Sequence, residues 1–307
     1  MATHASTFDF TDRDQYKLFV YKWEPAQPAR AAVQIAHGAT EHALRYQRVA
    51  EFLNDHGYVV YANDHRGHGR TAGSMEAAGK AGDDGWNGIV RGFAQLTGII
   101  KGENPGLPVF LLGHSMGSMV AQQCIEQHGS DIAGVVLSGS WGTNGDTTGL
   151  MAAVDRAISA QGRDGPSMEL VGLFAALNEG FEGNTAVDWL SRDPVEVQKF
   201  VDDPWCGSFA FSNGLVRDWF VGMEEIWRPE NEARIPKAMP VLILSGDQDP
   251  AGGYSAGTRV LIDRYQALGL QDLTYKFYPG ARHEILNETN RDEVQADILG
   301  WLDARVK

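Results

Sequence analysis

The chain contains a serine between two glycines, an arrangement that can present a hydroxyl group as a nucleophile. Gly113, Ser115 and Gly117 form the pattern G-x-S-x-G, directly after the apolar run VFLL and before the helical stretch 119–127. Between a strand and a helix, this pattern is typical of a nucleophile elbow, a tight turn that needs small residues. The N-terminus of the following helix favours a developing negative charge. We therefore predict that Ser115 is a nucleophile.

A serine nucleophile needs a histidine base and an acid that orients it, and both types follow the serine in the chain. Asp247 and Asp249 follow the apolar run VLIL, and His283 follows the last predicted strand. Asp247 lies nearer the strand end, where an aspartate commonly accepts hydrogen bonds from backbone amides. Asp249 precedes Pro250, which restricts its backbone to extended conformations. We favour Asp249 as the acid, with Asp247 as the alternative.

Stabilising an oxyanion requires two backbone N–H donors held in place before the reaction. The first candidate is the amide of Met116, the residue directly after the serine. The second is expected in the loop 37–42, which follows an apolar run, and in which Gly38 permits a sharp turn. We predict the amide of Ala39 as this second donor.

Short apolar runs alternate with helical stretches along most of the chain, which indicates βαβ units and a mainly parallel sheet with helices on both faces. An N-terminal hairpin precedes these units. The predicted strands are 7–10, 17–23, 31–36, 58–62, 109–112, 134–137, 241–244 and 273–278, and the predicted helices include 44–56, 86–101 and 292–305. The carboxyl ends of parallel strands share one sheet edge, so we expect the serine, aspartate and histidine to converge there.

Residues 142–235 break this alternation and show no clean strand pattern. They contain helical pieces at 150–159 and 168–177, followed by a polar segment rich in tryptophan and proline. We predict that 142–235 form a helical cap inserted into an α/β core made of 1–141 and 236–307.

The helical piece 168–177 is apolar on nearly every side, so we expect it to be buried or to cover an apolar cavity. Phe174 and Leu177 lie one helical turn apart on this piece. Side chains at this spacing share a helix face, and we predict that these two line one side of an acyl channel.

The composition excludes several functional classes. The 26 Lys and Arg residues stand against 40 Asp and Glu residues, and a net charge of −14 disfavours binding to nucleic acid or to anionic membranes. No apolar run approaches the roughly 18 residues that span a bilayer, and the N-terminal segment MATHASTFDF lacks the features of a signal peptide. We expect a cytoplasmic protein in which Cys124 and Cys206 are buried free thiols. Its oligomeric state is left open.

Five segments in order, HGATEHALRY, NDHRGHGRT, GHSMGS, SGDQDP and YPGARHEILNE, resemble the monoacylglycerol lipase and lysophospholipase branch of the α/β-hydrolases, which is grouped with the S33 serine aminopeptidase-type hydrolases. The resemblance covers nearly the whole core and weakens across the cap. It implies Ser115 as nucleophile, Asp249 as acid, His283 as base, and the amides of Ala39 and Met116 as oxyanion donors. It also implies a helical cap over an acyl pocket, and no cofactor.

One residue departs from the resembled family. Thr40 stands where the mammalian members typically have glycine. This difference does not change the expectation that the Ala39 amide is an oxyanion donor. For Glu41 and His42 we favour anchoring of this loop by hydrogen bonds over a second acid–base pair.

The segment 64–69 has histidines at a spacing that occurs in metal sites. In the resembled family the corresponding loop is structural and packs beside the active site. We therefore predict no metal at Asp64, His65 and His68.

We expect a serine carboxylic-ester hydrolase that acts through an acyl-enzyme on small to medium acyl esters, with monoacylglycerol-like lipids as the first candidate substrates. A peptidase, thioesterase, cofactor-free perhydrolase or C–C hydrolase would use the same triad. A non-catalytic ligand-binding protein on the same scaffold is the alternative outside enzymes. Transient contact of the cap with lipid is left open.

Overall fold

The computed structural model describes residues 5–306, so the first four residues of the segment examined for a signal peptide, and Lys307, lie outside it. An eight-stranded sheet in the order β1-β2-β4-β3-β5-β6-β7-β8 forms its centre. The strands are β1 Ser6–Thr11, β2 Lys17–Trp23, β3 Ala31–Ala36, β4 Tyr58–Asn63, β5 Val109–His114, β6 Gly134–Ser138, β7 Pro240–Gly246 and β8 Asp272–Tyr278. Strand β2 is antiparallel to both of its neighbours, β1 and β4, and the other neighbouring pairs are parallel, which confirms the predicted mainly parallel sheet.

Helices occupy both faces of this sheet. They are α1 Gln47–Asp55, α2 Gly69–Ala72, α3 Gly85–Glu103, α4 Met116–His128, α5 Thr148–Gln161, α6 Met168–Leu177, α7 Pro194–Asp202, α8 Asn213–Ile226, α9 Pro229–Glu232, α10 Ala256–Leu268 and α11 Arg291–Asp303. Several differ from the sequence-based expectation. The stretch predicted as one helix over 44–56 begins with the 3₁₀ turn Ala43–Tyr46, and α2, α7, α8, α9 and α10 were not predicted.

The central strands are buried on both faces, because helices cover the sheet from above and below. Alternate residues of one strand therefore enter different cores. In β5, Leu111 belongs to the cluster that contains α3, α4 and α10, whereas Phe110 and Leu112 belong to the cluster that contains α1 and α11. The edge of the sheet at which the parallel strands end is therefore supported by packed helices on both faces.

Helices α5 to α9 lie between β6 and β7 in the chain. Helix α8 packs on the core helices, and its Trp219 stacks on Trp86 of α3 with ring centroids 6.3 Å apart. Leu170 of α6 and Val154 of α5 belong to the same hydrophobic cluster as the sheet. This helical segment is therefore continuous with one of the two cores. Among the described residues, no helix is both long and apolar enough to cross a bilayer.

Helix α4 approaches strand β3 so closely that position 117 has no room for a side chain. A methyl group on Gly117 would overlap the carbonyl oxygens of Ala36 and His37. We expect Gly117→Ala to lower the free energy of unfolding by about 3 kcal/mol or more, because overpacking forces the backbone to shift. Urea-induced unfolding measures this change.

Gly98→Ala is the matched control, since Gly98 is exposed on α3 with open space around it. Alanine in a helix interior should raise stability there by roughly 0.5–1 kcal/mol. Equal stability of the Gly117→Ala variant and the wild type would show that the two elements are not in the close contact described.

Candidate active site

Ser115 lies in the turn between β5 and α4, in a backbone conformation that residues other than glycine rarely adopt. Its φ of 52° and ψ of −121° place it outside the usual regions for a residue other than glycine. Such strain costs on the order of 1–3 kcal/mol and persists where the surroundings enforce it. Here the Ser115 amide donates to the carbonyl of Ser138 at 3.0 Å, and the Ser118 hydroxyl donates to the Ser115 carbonyl at 2.6 Å. The turn holds Ser115 at the wall of a cavity.

The loops after β7 and β8 bring a carboxylate and an imidazole together beside this serine. Nδ1 of His283 lies 2.9 Å from Oδ2 of Asp249, and both side chains are almost completely buried. The other oxygen of Asp249 accepts a hydrogen bond from the amide of Ala251 at 2.9 Å. Asp247 instead accepts from the amide of Gly280 at 2.8 Å. Of the two aspartates that the sequence offered, the structure places Asp249 against His283.

His283 is surrounded by groups that stabilise its charged form. Burial alone lowers the pKa of His283, but the charge and hydrogen bond of Asp249, together with Glu284 and Glu41, raise this pKa above its ordinary value. The ring of Trp189 covers His283 at a centroid distance of 4.9 Å. The neighbouring ring of His114 lies at 4.8 Å, and burial lowers the pKa of His114 to about 4. His283 is therefore the basic imidazole of this pair.

The loop after β3 lies directly opposite the elbow. Gly38, Ala39 and Thr40 line the same cavity as Ser115, and a methyl group on Gly38 would lie 3.3 Å from Cβ of Ser115. Thr40 has a φ of 52°, a left-handed conformation that favours glycine. The departure from the family pattern thus falls on a position where threonine carries strain. Ala39 and Met116 flank the elbow from the two sides, and their amides remain the predicted oxyanion donors.

A buried arginine joins this loop to the histidine loop. Arg45 pairs with Glu41, and its two terminal nitrogens lie 2.7 and 2.8 Å from the carboxylate oxygens of Glu284. Glu41 also accepts hydrogen bonds from the Gly38 amide at 2.5 Å and the Tyr46 hydroxyl at 2.8 Å. Burial opposes ionisation of both glutamates, yet Arg45 holds the pKa of each below its ordinary value. Glu41 therefore anchors the loop, as expected.

Sequence reasoning did not identify Arg45 and Glu284 as partners. Both lie inside segments that were singled out, HGATEHALRY and YPGARHEILNE, but no local pattern indicates that the two segments touch. Trp189 was also missed. Its carbonyl accepts a hydrogen bond from the His283 amide at 3.4 Å, although it lies in the helical segment between β6 and β7.

The segment 64–69 packs behind the site rather than in it. The carboxylate of Asp64 accepts hydrogen bonds from the amides of Ala43 at 2.9 Å and Arg70 at 2.7 Å. The rings of His65 and His68 lie 4.1 and 5.0 Å from the ring of His37. Burial lowers the pKa of His65 and of His68 to about 3. This loop has the packing and backbone hydrogen bonds of a structural element.

A cavity of about 700 Å³ extends from Ser115 and His283 under helix α6. Its walls are mostly apolar and include Leu170, Val171, Leu173, Phe174, Leu177, Trp219, Phe220 and Met223. Phe174 and Leu177 thus both lie on the cavity wall. Sites for small molecules commonly measure about 300–1,000 Å³ and carry a few polar groups among apolar walls. The cavity has the size and lining of a site for a medium-sized apolar ligand.

Helix α6 covers the cavity but is not buried, which decides between the two expectations for residues 168–177. Leu170 is buried, whereas Met168 is 62% exposed and Val171 and Leu173 are each 41% exposed. The helix is apolar on nearly every side because one face lines the cavity while another faces solvent.

The model of the S33 serine aminopeptidase family matches residues 27–290. The chain belongs to this family. A monoacylglycerol lipase of Mycolicibacterium smegmatis is 32% identical to this S33 protein over 284 residues, which cover 91% of this chain and 90% of that protein. The human monoglyceride lipase is 28% identical over 303 residues, covering 95% of this chain and 88% of the human protein.

A solved structure, a thermostable carboxyl esterase of Bacillus coagulans in complex with glycerol, superimposes on the S33 protein with a TM-score of 0.92. It is 30% identical in sequence, and the match covers 99% of each chain. Together with the family match, this likeness confirms the predicted α/β-hydrolase fold and the prediction that the chain is a hydrolase.

The two neighbouring aspartates of the S33 protein provide a matched pair of variants. Asp249→Asn is expected to lower kcat on an ester at least about a thousandfold, because an amide favours the wrong histidine tautomer. Asp247→Asn should lower kcat less than about tenfold, since Asp247 contacts a backbone amide. Steady-state kinetics and thermal unfolding of both variants separate lost chemistry from lost stability. The reverse order of effects would assign the acid to Asp247.

The environment of His283 sets the pH dependence of activity. A base must be neutral to accept a proton, and the raised pKa of His283 keeps it protonated to higher pH than an ordinary histidine. We expect kcat/KM to fall as pH decreases through a value above the ordinary histidine pKa. Glu284→Gln removes a nearby negative charge and should shift this limb to lower pH.

The profile is measured as kcat/KM from pH 5 to 9, roughly the range in which histidine titrates. Thermal unfolding at each pH is the control for loss of structure. An acid limb at or below the ordinary histidine pKa would contradict the influence of the surrounding carboxylates.

Proposed function

We propose that this S33 hydrolase cleaves carboxylic esters, with monoacylglycerol-like lipids as substrates, through Ser115, His283 and Asp249. The observation that carries the proposal is the buried pair of His283 and Asp249 beside the strained Ser115, at the foot of a largely apolar cavity. Relatives named as monoacylglycerol and monoglyceride lipases, and the esterase structure with glycerol, support an ester as the substrate.

The reaction follows from the positions of these groups. His283 accepts the hydroxyl proton of Ser115 as its oxygen attacks the ester carbonyl, and Asp249 stabilises the resulting imidazolium. The amides of Ala39 and Met116 stabilise the oxyanion, and one such donor is worth roughly 2.7–4 kcal/mol. His283 then protonates the leaving alcohol. Water, deprotonated by the same histidine, attacks the acyl-enzyme and releases the acid.

Residues 142–235 serve in this proposal as the cap over an acyl pocket. Phe174 and Leu177 contact the acyl chain from α6, since both lie on the cavity wall. On the same helix, Met168 is 62% exposed away from the cavity wall, and Val171 and Leu173 are each 41% exposed although they line the cavity. An apolar surface of this kind favours transient contact with a lipid interface, from which a long acyl chain enters the cavity.

A peptidase is the second candidate, because the family description names serine aminopeptidases. An aminopeptidase must hold the ammonium group of its substrate near the reacting carbonyl, which calls for an unpaired carboxylate. Glu41 and Glu284, on the loops beside Ser115, are both paired with Arg45, whereas the other carboxylates on the cavity wall, Asp146 and Glu169, belong to the segment between β6 and β7. This pairing and the apolar wall favour an acyl chain over a charged peptide terminus.

The test is a panel of p-nitrophenyl esters from acetyl to palmitoyl, with monoacylglycerols and amino-acid amides beside them. We expect turnover of esters and monoacylglycerols, and little turnover of amides. Ser115→Ala is the control, with an expected loss on the order of 10⁶ in kcat. Faster cleavage of amides would favour the peptidase. Absence of both turnover and an acyl-enzyme burst with every ester would indicate a ligand-binding protein.

The cap should govern chain-length preference more than chemistry. Phe174→Ala is expected to shift the preferred acyl length while kcat/KM on the acetyl ester stays within about tenfold, because a pocket methylene is worth only roughly 1–3 kcal/mol. Val195→Ala is the control, since Val195 is 61% exposed on α7 of the same helical segment and away from the cavity wall. An identical chain-length profile in the wild type, Phe174→Ala and Val195→Ala would place Phe174 outside the acyl pocket.

A further inference from the structure

Three potential metal ligands outside the proposed triad meet where the segment after α7 crosses the loop after β3. A nitrogen of His42, a carboxylate oxygen of Asp203 and Sγ of Cys206 all lie within 4.8 Å of one another. Nε2 of His42 lies 2.9 Å from Oδ2 of Asp203. His42 is 8% exposed and Cys206 is 3% exposed. We propose that these three side chains form a binding site for a zinc-like transition-metal ion.

The donor set favours this class of ion over others. Imidazole nitrogen, carboxylate oxygen and thiolate sulfur together are ligands of Zn²⁺, whereas Mg²⁺ and Ca²⁺ require oxygen donors. Bonds of about 2.0–2.3 Å in a tetrahedral site place neighbouring donors roughly 3.5 Å apart. Side-chain movements of about 1 Å therefore close the site around an ion. Binding transfers the thiol proton of Cys206 to the solvent, and water completes the four ligands.

The ligands themselves can balance the charge of a divalent ion. Glu41 and Glu284 are already paired with Arg45. The carboxylate of Asp203 and the thiolate of Cys206 together carry two negative charges, which neutralise a divalent cation in a region that is largely shielded from water.

An entry route lies beside the ligands. A second cavity of about 280 Å³ is lined by His42 and Asp203, and also by Arg45, Arg48, Lys199 and Glu196. It gives an ion and its water ligand a route to two of the three ligands that does not pass through the larger cavity. Oδ2 of Asp203 is the oxygen that contacts His42. The other oxygen of Asp203 is occupied, because it accepts a hydrogen bond from the amide of Trp205 at 2.8 Å.

The three ligands come from both sides of the candidate active site. His42 belongs to the loop that carries Ala39, whereas Asp203 and Cys206 belong to the segment between β6 and β7. The amide of Gly207, next to Cys206, donates to the carbonyl of Thr40 at 2.9 Å. A bound ion would cross-link the loop after β3 to the segment after α7 and restrict their relative movement. We expect it to raise thermal stability and, on the basis of the proposed function, to inhibit turnover of long-chain esters.

Binding is tested with Co²⁺, which replaces Zn²⁺ and absorbs in the near ultraviolet when a thiolate binds it. One equivalent of Co²⁺ should produce this band in the wild type and in Cys124→Ala, the control for the other buried thiol. The band should be absent from Cys206→Ala and should disappear from the wild type on addition of Zn²⁺. No band, or a band that persists in Cys206→Ala, overturns the proposal.

Asp203→Asn keeps the acceptor for the Trp205 amide but removes the charged ligand, so it tests the site if Cys206→Ala does not fold. It should weaken Co²⁺ binding at least about tenfold. Unchanged affinity would overturn the ligand set.

The activity test is separate from the binding test. Zn²⁺ should inhibit the wild type and Cys124→Ala but not Cys206→Ala. Binding without inhibition would keep the site and overturn its coupling to catalysis. Because the cobalt spectrum requires no turnover, failure of the metal site is distinguishable from failure of the proposed ester hydrolysis.

Discussion

The close contact between helix α4 and strand β3 is the constraint on which the candidate site depends. Only glycine fits at position 117, because a methyl group there would overlap the backbone of Ala36 and His37. This contact allows the chain to turn through Ser115 with a φ of 52°. The turn places the serine at the carboxyl edge of the sheet. The next loops at that edge, after β7 and β8, hold Asp249 and His283.

Buried charged side chains also hold the loops of the candidate site in place. Removing an arginine and two carboxylates from water is costly, and only well-formed hydrogen bonds compensate for it. Arg45 makes such bonds with Glu41 and Glu284, which belong to the loop after β3 and the loop after β8. Burial lowers the pKa of His283, but Asp249 and, to a lesser extent, these two carboxylates raise it. One ion-paired cluster therefore influences both the geometry and the electrostatics of the site.

The helical segment between β6 and β7 contributes to the cavity and also covers His283. Phe174 and Leu177 lie on the cavity wall, and Trp189 covers the ring of His283. Helix α8 of the same segment packs on α3 through Trp219. Because one segment contacts the cavity, His283 and the core, a change in its packing affects the shape of the cavity and the position of the histidine together.

The sequence by itself determined the features that depend on neighbours along the chain. The elbow at Ser115, the mainly parallel sheet and the preference for Asp249 all followed from short patterns, because an apolar run sets where a strand ends and small residues set where it turns. The tertiary structure decided the rest. Arg45 and Glu284 pair across 239 positions, and helix α6 exposes Met168 while Leu170 is buried. No local pattern encodes such contacts, since they depend on which distant segments the fold brings together.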